Sequence, residues 1–246
     1  MRRTIDTCRV RLMETDAGRK SSSRVSEVYE QIRSDILATR LAPGEKLKIQ
    51  PLCERFEVSL SVVREALTRL TEQRLVRSVP QVGFTVRPLD RSGLLDLTNV
   101  RVHLETLALR WAIQRGDLEW ETALVAALYR LGKTPQNTPG AKDELSEAWS
   151  IAHAEFHTAL AAGCGSPLLM ELRSGPYDAA EVYRRWAGPA EREPRDVHSE
   201  HTAIADAAIA RDDELAATLL ERHIRRTTEI LMTSHLMRAD ETTKPR

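Results

Sequence analysis

The sequence predicts a mainly α chain in two parts, an N-terminal winged helix-turn-helix and a C-terminal all-α helical bundle. Three observations carry that prediction. Residues 24–88 hold three short amphipathic segments, then two strand-like runs around a Pro-Gln-Val-Gly turn. Residues 89–238 repeat their apolar residues at helical spacing and carry no strand signal. Residues 1–88 have 17 Lys and Arg against 11 Asp and Glu, and the rest of the 246-residue chain has 19 against 25, so a net charge of zero conceals a basic part fused to an acidic one. A polyanionic partner is therefore expected for the first part only.

Composition sets the outer bounds. A hydrophobic content of 41% with 29% charged residues suits a globular chain with a real core. No apolar run approaches the roughly 20 residues needed to span a bilayer. The opening MRRTIDTCRVRL is charged and lacks a signal-peptide core, so a cytoplasmic chain with no membrane partner is expected. Cys8, Cys53 and Cys164 are isolated and odd in number, which fits reduced thiols and gives them no role.

Along the chain, residues 1–23 lack a hydrophobic period, end in RKSSS and read as a flexible tail. From Arg24, the residues Val25, Val28, Tyr29, Ile32 and Ile36 recur at helical spacing up to LAPGEKL. A second short helix is expected in QPLCERF, with Pro51 near its start, where a missing N–H costs nothing. Ser59 is a suitable N-cap for a third helix carrying Val63, Ala66, Leu67 and Leu70 on one face. The run RLVRSVPQVGFTVRPL then reads as a hairpin.

A third helix of this kind fits the DNA major groove, with its N-terminal residues at base edges and phosphates. Ser59, Ser61 and Arg64 are the side chains placed to make such contacts, and Gly83 would let the wing approach the duplex closely. The alternative is an ordinary solvated helix face.

The stretch LAPGEKLKIQPLCERFEVSLSVVREALTRLTEQRLVRSVPQVGFTV resembles the winged-helix domain of GntR-superfamily transcription regulators, through PGEKL, VS followed by VREAL and RL, LV, and the wing GFTV. The resemblance implies a homodimer on palindromic double-stranded DNA. Three positions depart from its pattern. Leu60 stands where an arginine is usual, Gln50 replaces a basic residue of the second helix, and Arg74 replaces a glycine before LV. DNA contacts, with Gln50 still among them, would then lean more on Arg64, Lys48 and the wing.

In the second part, a helix over 94–116 is expected to turn Leu97, Val100, Leu104, Leu107, Ala108 and Trp111 inward. Further helices are expected at 117–131, 141–163, 166–187 with an interruption near SGP, 196–211 and 213–237, followed by a tail at 239–246. Within IAHAEFHTAL, His153 and His157 lie one turn apart, on or beside a seam of Trp149, Phe156 and Leu160. His201 leads Ile204, Ala205 and Ala208, and His223 follows Ala216, Leu219 and Leu220. Four of the seven histidines therefore lie on or next to apolar helix faces. Either each imidazole finds its own partner in the core, or one divalent cation satisfies all four together. His103, His198 and His235 receive no role.

Residues 91–238 resemble the helical effector domain of the FadR-like (FCD) branch, through RVHLE, FHTALAAGCGSP and EHTAIADAAIARD. Metal-binding members use one Asp and three His. The resemblance places His157, His201 and His223 at the three histidines and His153 at the Asp, which implies a divalent transition metal such as zinc or nickel. His153 either ligates as a fourth nitrogen or swings away. The resemblance also puts Arg101 in the cavity, against the carboxylate of a small organic acid; the alternative is an i,i+4 pair with Glu105. An enzyme is not expected. A zincin needs glutamate directly after its first histidine, where Ala154 stands, and the inverse motif needs one before its second, where Phe156 stands. The reading is a transcription regulator controlled by a small carboxylate, with an architectural DNA binder or a metal-dependent hydrolase as alternatives.

Overall fold

Val25, Val28, Ile32 and Ile36 are all buried along one face of α1 (Asp16–Leu37). In the computed structural model, which describes residues 16–138, 140, 145–186 and 195–233, that face packs on α3 (Leu60–Glu72). α1 begins eight residues before Arg24, inside the segment expected to be a flexible tail. Short helix α2 (Ile49–Phe56) completes the three-helix unit, and Leu52, Val63, Ala66, Leu67 and Leu70 fill its core. The wing is β2 (Val76–Val79) and β3 (Gly83–Val86), paired antiparallel with Val76 opposite Val86. A third strand, β1 (Lys46–Leu47), adds to the outer edge of β3 and gives the order β1-β3-β2. Two residues are too few to show alternation, so this strand has no sequence signature.

The second part is built from α4 (Arg91–Arg115), α5 (Leu118–Lys133), α6 (Glu147–Ala162), α7 (Pro167–Trp186), α8 (Val197–Ile209) and α9 (Asp213–Met232). Asp90, Asp117, Ser146, Asp196 and Asp212 each cap a helix by accepting from a backbone N–H in its first turn. At Gly116 the chain turns against Trp120, where a Cβ would come within 2.4 Å of the indole.

Two expectations are overturned. The inward stripe of α4 is displaced: Leu97 and Ala108 are buried and Leu104 and Trp111 pack against the core, but Val100 and Leu107 are exposed, while Leu94, Thr98, Arg101, Val102, Glu105 and Leu109 are buried. α4 has apolar residues around most of its circumference, so periodicity sets the helix but not which side is covered. It is covered by α9, α7 and α6. The interruption near SGP is also absent, because α7 runs continuously through Gly175 and Pro176. The proline ring removes the bond to the carbonyl of Leu172, a residue at the surface, and packing on both sides holds the helix. The ends expected for α9 beyond residue 233 and for α6 before residue 145 lie outside the described residues, as do the C-terminal tail, Cys8 and His235.

The two parts share α7. Its Val182 belongs to the hydrophobic core of the winged helix, with Trp186 packed against it. One turn earlier, Arg33 of α1 donates to both oxygens of Asp178, at 2.8 and 2.7 Å. Gly175 lies against the backbone of Gln73, at the end of α3.

Arg74, where a glycine is usual, follows α3 with φ of 62°, in the left-handed region that favours glycine. Its only described ion pair is an exposed 3.9 Å contact with Asp96, worth little against that strain. Arg74→Gly should therefore stabilise the protein by about 1 kcal/mol in denaturant unfolding; equal or lower stability would show that the strain is absent.

Candidate metal centre and DNA-facing surface

One turn of α6 places His153 and His157 side by side, and α8 and α9 each bring one further imidazole, His201 and His223, to the same point. All four are buried. Their ring centroids lie 4.5 to 6.3 Å apart, and one ligand nitrogen from each lies within 4.8 Å of all the others. Trp149 stacks on His153 at 4.7 Å, and Phe156 packs against His201 at 4.9 Å. The seam expected on α6 is the seam observed.

Hydrogen bonds outside the cluster orient the rings within it. Tyr177 Oη lies 2.9 Å from His153 Nδ1, which turns His153 Nε2 toward His157 Nε2, 3.2 Å away. His223 Nδ1 donates to Glu200 Oε2 at 2.8 Å, which leaves Nε2 as its free lone pair. Arg195 holds the same carboxylate at 2.8 and 2.6 Å. Burial opposes ionisation of Glu200, but the bonds from Arg195 and His223 outweigh it and hold the carboxyl well below its usual range. His157 Nδ1 and His201 Nε2 are buried without a hydrogen-bond partner.

These residues fit a divalent transition metal. Burial is the largest cause that drives His153, His157 and His201 well below the ordinary imidazole value, followed by the charge of Arg184 at His153 and by His223 at the other two. Burial lowers His223 as well, although Glu200 opposes it. Neutral imidazoles are the ligand form. Two nitrogens each about 2.0–2.1 Å from one cation stand roughly 3 Å apart, close to the 3.2 Å seen between His153 and His157. A cation would also serve the orphaned nitrogen of His201.

Arginines surround the cluster. The guanidinium groups of Arg101, Arg184 and Arg173 lie 5.1, 5.4 and 5.9 Å from the centre of the Tyr177 ring. Arg173 donates twice to Glu105 Oε2, at 3.0 and 2.8 Å, and Arg184 pairs with Glu181, which also serves Arg185. Arg101 is left with Glu105 at 3.9 Å, and its Nε has no partner. The intrahelical pair is thus stretched: Arg173 takes Oε2 of the acid, while Oε1, which faces Arg101, is buried without a hydrogen-bond partner. Burial pulls the Arg101 guanidinium below its ordinary value, with Glu105 opposing.

A cavity of about 250 Å³ opens onto His153 and His223, with Trp149, Arg184, Arg195 and Thr227 in its wall. Arg101 is not among its lining residues; its guanidinium lies over the Tyr177 ring. Sequence reasoning missed Arg184, Arg195, Tyr177 and Glu200. Arg173, Tyr177 and Arg184 do share one face of α7, but a charged face reads in sequence as a solvated one. His103 and His198 lie at the surface, away from the cluster.

On the winged helix, Lys48, Gln50, Ser59, Ser61, Arg64 and Gly83 are all exposed. Ser59 stands at the N-cap of α3, but its hydroxyl makes no cap bond and meets Ser61 Oγ at 2.9 Å instead. Gln50 reaches Glu54 at 3.3 Å. The Arg64 guanidinium has no partner among the described residues.

Since the buried imidazoles bind fewer protons folded than unfolded, their contribution to stability is complete above about pH 6.5 and is lost as pH falls below it. Chelator-treated protein should therefore lose thermal stability steeply between about pH 6.5 and 5. A flat profile there would mean that the histidines are not buried as neutral rings.

Comparison with known proteins assigns a family to each half of the chain. Residues 24–86 match the family described as bacterial regulatory proteins, gntR family, and residues 96–226 match the FCD domain. The HTH-type transcriptional regulator BphR of Paraburkholderia xenovorans, itself uncharacterized, is 37% identical over 216 residues, 88% of each chain. The HTH-type transcriptional repressor GlaR of Escherichia coli is 32% identical over 200 residues, 80% of this chain and 90% of its own. Among solved structures, E. coli McbR/YncC superposes with a TM-score of 0.69 at 21% identity, over 85% of this chain and 96% of that one, a likeness of fold.

Proposed function

This chain belongs to the gntR family of bacterial regulatory proteins and carries an FCD domain behind its winged helix, and on that premise we propose that a small organic acid, docked beside a divalent transition metal, sets its affinity for an operator. The protein is a transcription regulator with an effector-binding domain. One observation carries the finer reading: a cluster of four neutral imidazoles reaches a cavity of about 250 Å³ through His153 and His223, and two arginines, Arg184 and Arg195, stand in the same wall. That volume lies below the roughly 300–1,000 Å³ of pockets for drug-sized ligands, so an acid of a few carbons suits it.

His153, His157, His201 and His223 would hold the metal, which supplies a docking charge for a carboxylate. With four neutral donors and no acid among them, that charge stays undiminished. Arg184 and Arg195 orient the acid from the cavity wall, and Arg101, paired with Glu105 only at 3.9 Å, adds positive charge beside Tyr177. Trp149, Val197 and Ile230 narrow the site and exclude water. Glu155, the glutamate between His153 and His157 in sequence, points outward to Arg130 at 2.6 Å and is not placed to activate a water, which supports a binding role for the site.

The route to DNA is α7. Tyr177 touches His153, and the next residue, Asp178, holds Arg33 of the winged helix. An acid that draws Arg184 away from Glu181 and Tyr177 alters the packing of the helix that also fills the DNA-binding core. It shifts operator affinity by its differential affinity for the two arrangements. The protein acts as a cytoplasmic homodimer on a palindromic operator, and the outward apolar residues Val100 and Leu107 of α4 offer a face for the second copy. No helix among the described residues is long and apolar enough to cross a membrane.

Protein purified without a histidine tag should contain about one transition metal per chain by elemental analysis. His157→Ala and His223→Ala should lose most of it and His153→Ala less; wild-type protein that binds its acid at full affinity when metal-free would overturn the metal's role. A thermal-shift screen of small organic acids, with and without metal, identifies the effector.

With that acid in hand, Arg101→Ala should weaken its binding and leave operator binding intact. Asp178→Asn should keep acid binding while weakening its effect on DNA by roughly five- to 150-fold. An undiminished response in either variant would remove that residue from the mechanism.

A further inference from the structure

Two large apolar side chains are exposed among residues 24–88, Leu60 at 50% and Val82 at 42%. The other apolar residues of the recognition helix, Val62, Val63, Ala66, Leu67 and Leu70, are buried. Exposure is thus confined to the first residue of α3 and the tip of the wing, the two places where a winged helix meets a duplex. Neither side chain packs in the domain's core, so the fold does not require them to be apolar.

We infer that Leu60 reads the 5-methyl group of a thymine in the major groove. The inference rests on the reading of residues 24–88 as a DNA-binding domain. The first residues of a recognition helix lie against base edges, and Leu60 is the first residue of α3. Leucine has no donor or acceptor. Against guanine or adenine it would strip water from N7 and O6 or N6 without replacing the bonds. In the major groove the thymine methyl is the apolar feature of the standard bases, and apolar side chains pair with it.

The neighbours support the same assignment. Ser59 and Ser61 flank Leu60 and are bonded to each other at 2.9 Å, so neither hydroxyl crowds it with an unmet polar demand. Arg64 lies one turn on, on the same face, with its guanidinium free among the described residues. Leu60 and Arg64 together would then read a thymine next to the base or phosphate that Arg64 engages. An arginine at position 60 would instead make a bidentate claim on guanine O6 and N7, so this one residue decides which base is favoured there.

The test begins by selecting tight binders for the full-length protein from random-sequence duplexes. The selected half-site should contain an invariant thymine. Replacing it with deoxyuridine removes the methyl alone and should weaken binding about three- to fivefold, the effect of one buried methyl-sized group. Leu60→Ala should bind the thymine and deoxyuridine duplexes equally, and Leu60→Arg should move the preference at that position toward guanine. Because position 60 is exposed, both variants should keep wild-type helicity, which circular dichroism checks. Equal binding of the two duplexes by wild-type protein, or thymine discrimination undiminished in Leu60→Ala, would overturn the inference while leaving DNA binding in place. Failure to select any duplex would overturn the DNA-binding reading and this inference with it.

Discussion

The cost of burying basic groups without water organises the second half of this molecule. Four imidazoles and the guanidinium groups of Arg101, Arg173 and Arg184 are enclosed in one helical bundle. The imidazoles meet that cost by staying neutral, as their depressed proton affinity shows. Arginine cannot lose its charge, so acids follow it inside: Glu105 for Arg173, Glu181 for Arg184. The compensation is incomplete. Arg101 has no acid of its own at short range, and Glu181 is divided between two arginines. The bundle therefore keeps a positive excess beside neutral imidazoles, which supports the proposed anionic effector.

α7 ties this electrostatic core to the DNA-binding part. Along one face it presents Arg173, Tyr177 and Arg184 to the histidines; along another, Asp178 and Val182 to the winged helix. Residues 177 and 178 are adjacent in sequence yet serve different cores, so small rotations of the helix affect both. Burial raises the carboxyl of Asp178 above its usual value even against Arg33, which marks this ion pair as sheltered from solvent. A sheltered, bidentate pair is geometrically demanding, and breaking it leaves a buried charge unpaired. This makes it a firm joint between the parts and not a surface contact.

How much of this was legible in the sequence depended on what each signal measures. The seam Trp149-His153-Phe156-Leu160 could be read because α6 has a clear apolar face, and the winged helix because its helix spacings and turn residues agree. α4 could be read as a helix but not oriented, since a helix with apolar residues nearly all round carries no phase. The arginine shell was invisible for a related reason. Nothing local distinguishes a charged face that packs against a buried cluster from one that meets water; only the fold, by placing Glu105 and Glu181 opposite, reveals the difference. Pro176 misled because a proline in a helix interior usually weakens it, and here packing on two cores outweighs the lost bond.

The substitution that gives this site its character is His153, at a position where the FCD resemblance implies an aspartate. A carboxylate there would cancel one unit of a bound cation's charge and would stand close to Arg184, whose charge already acts on His153. Imidazole does neither. It leaves Arg184 to Glu181 and Tyr177, and it lets Tyr177 fix the ring through Nδ1. The bond from Tyr177 to His153 thus links the ligand set to the helix that carries Asp178, a link that a carboxylate facing the metal would make with different geometry. In the proposed site, trading an acid for a neutral nitrogen would do two things at once: raise the positive charge offered to an incoming anion and couple a bound metal directly to α7. Both effects favour a regulator in which filling the site and moving the DNA-binding domain are one event.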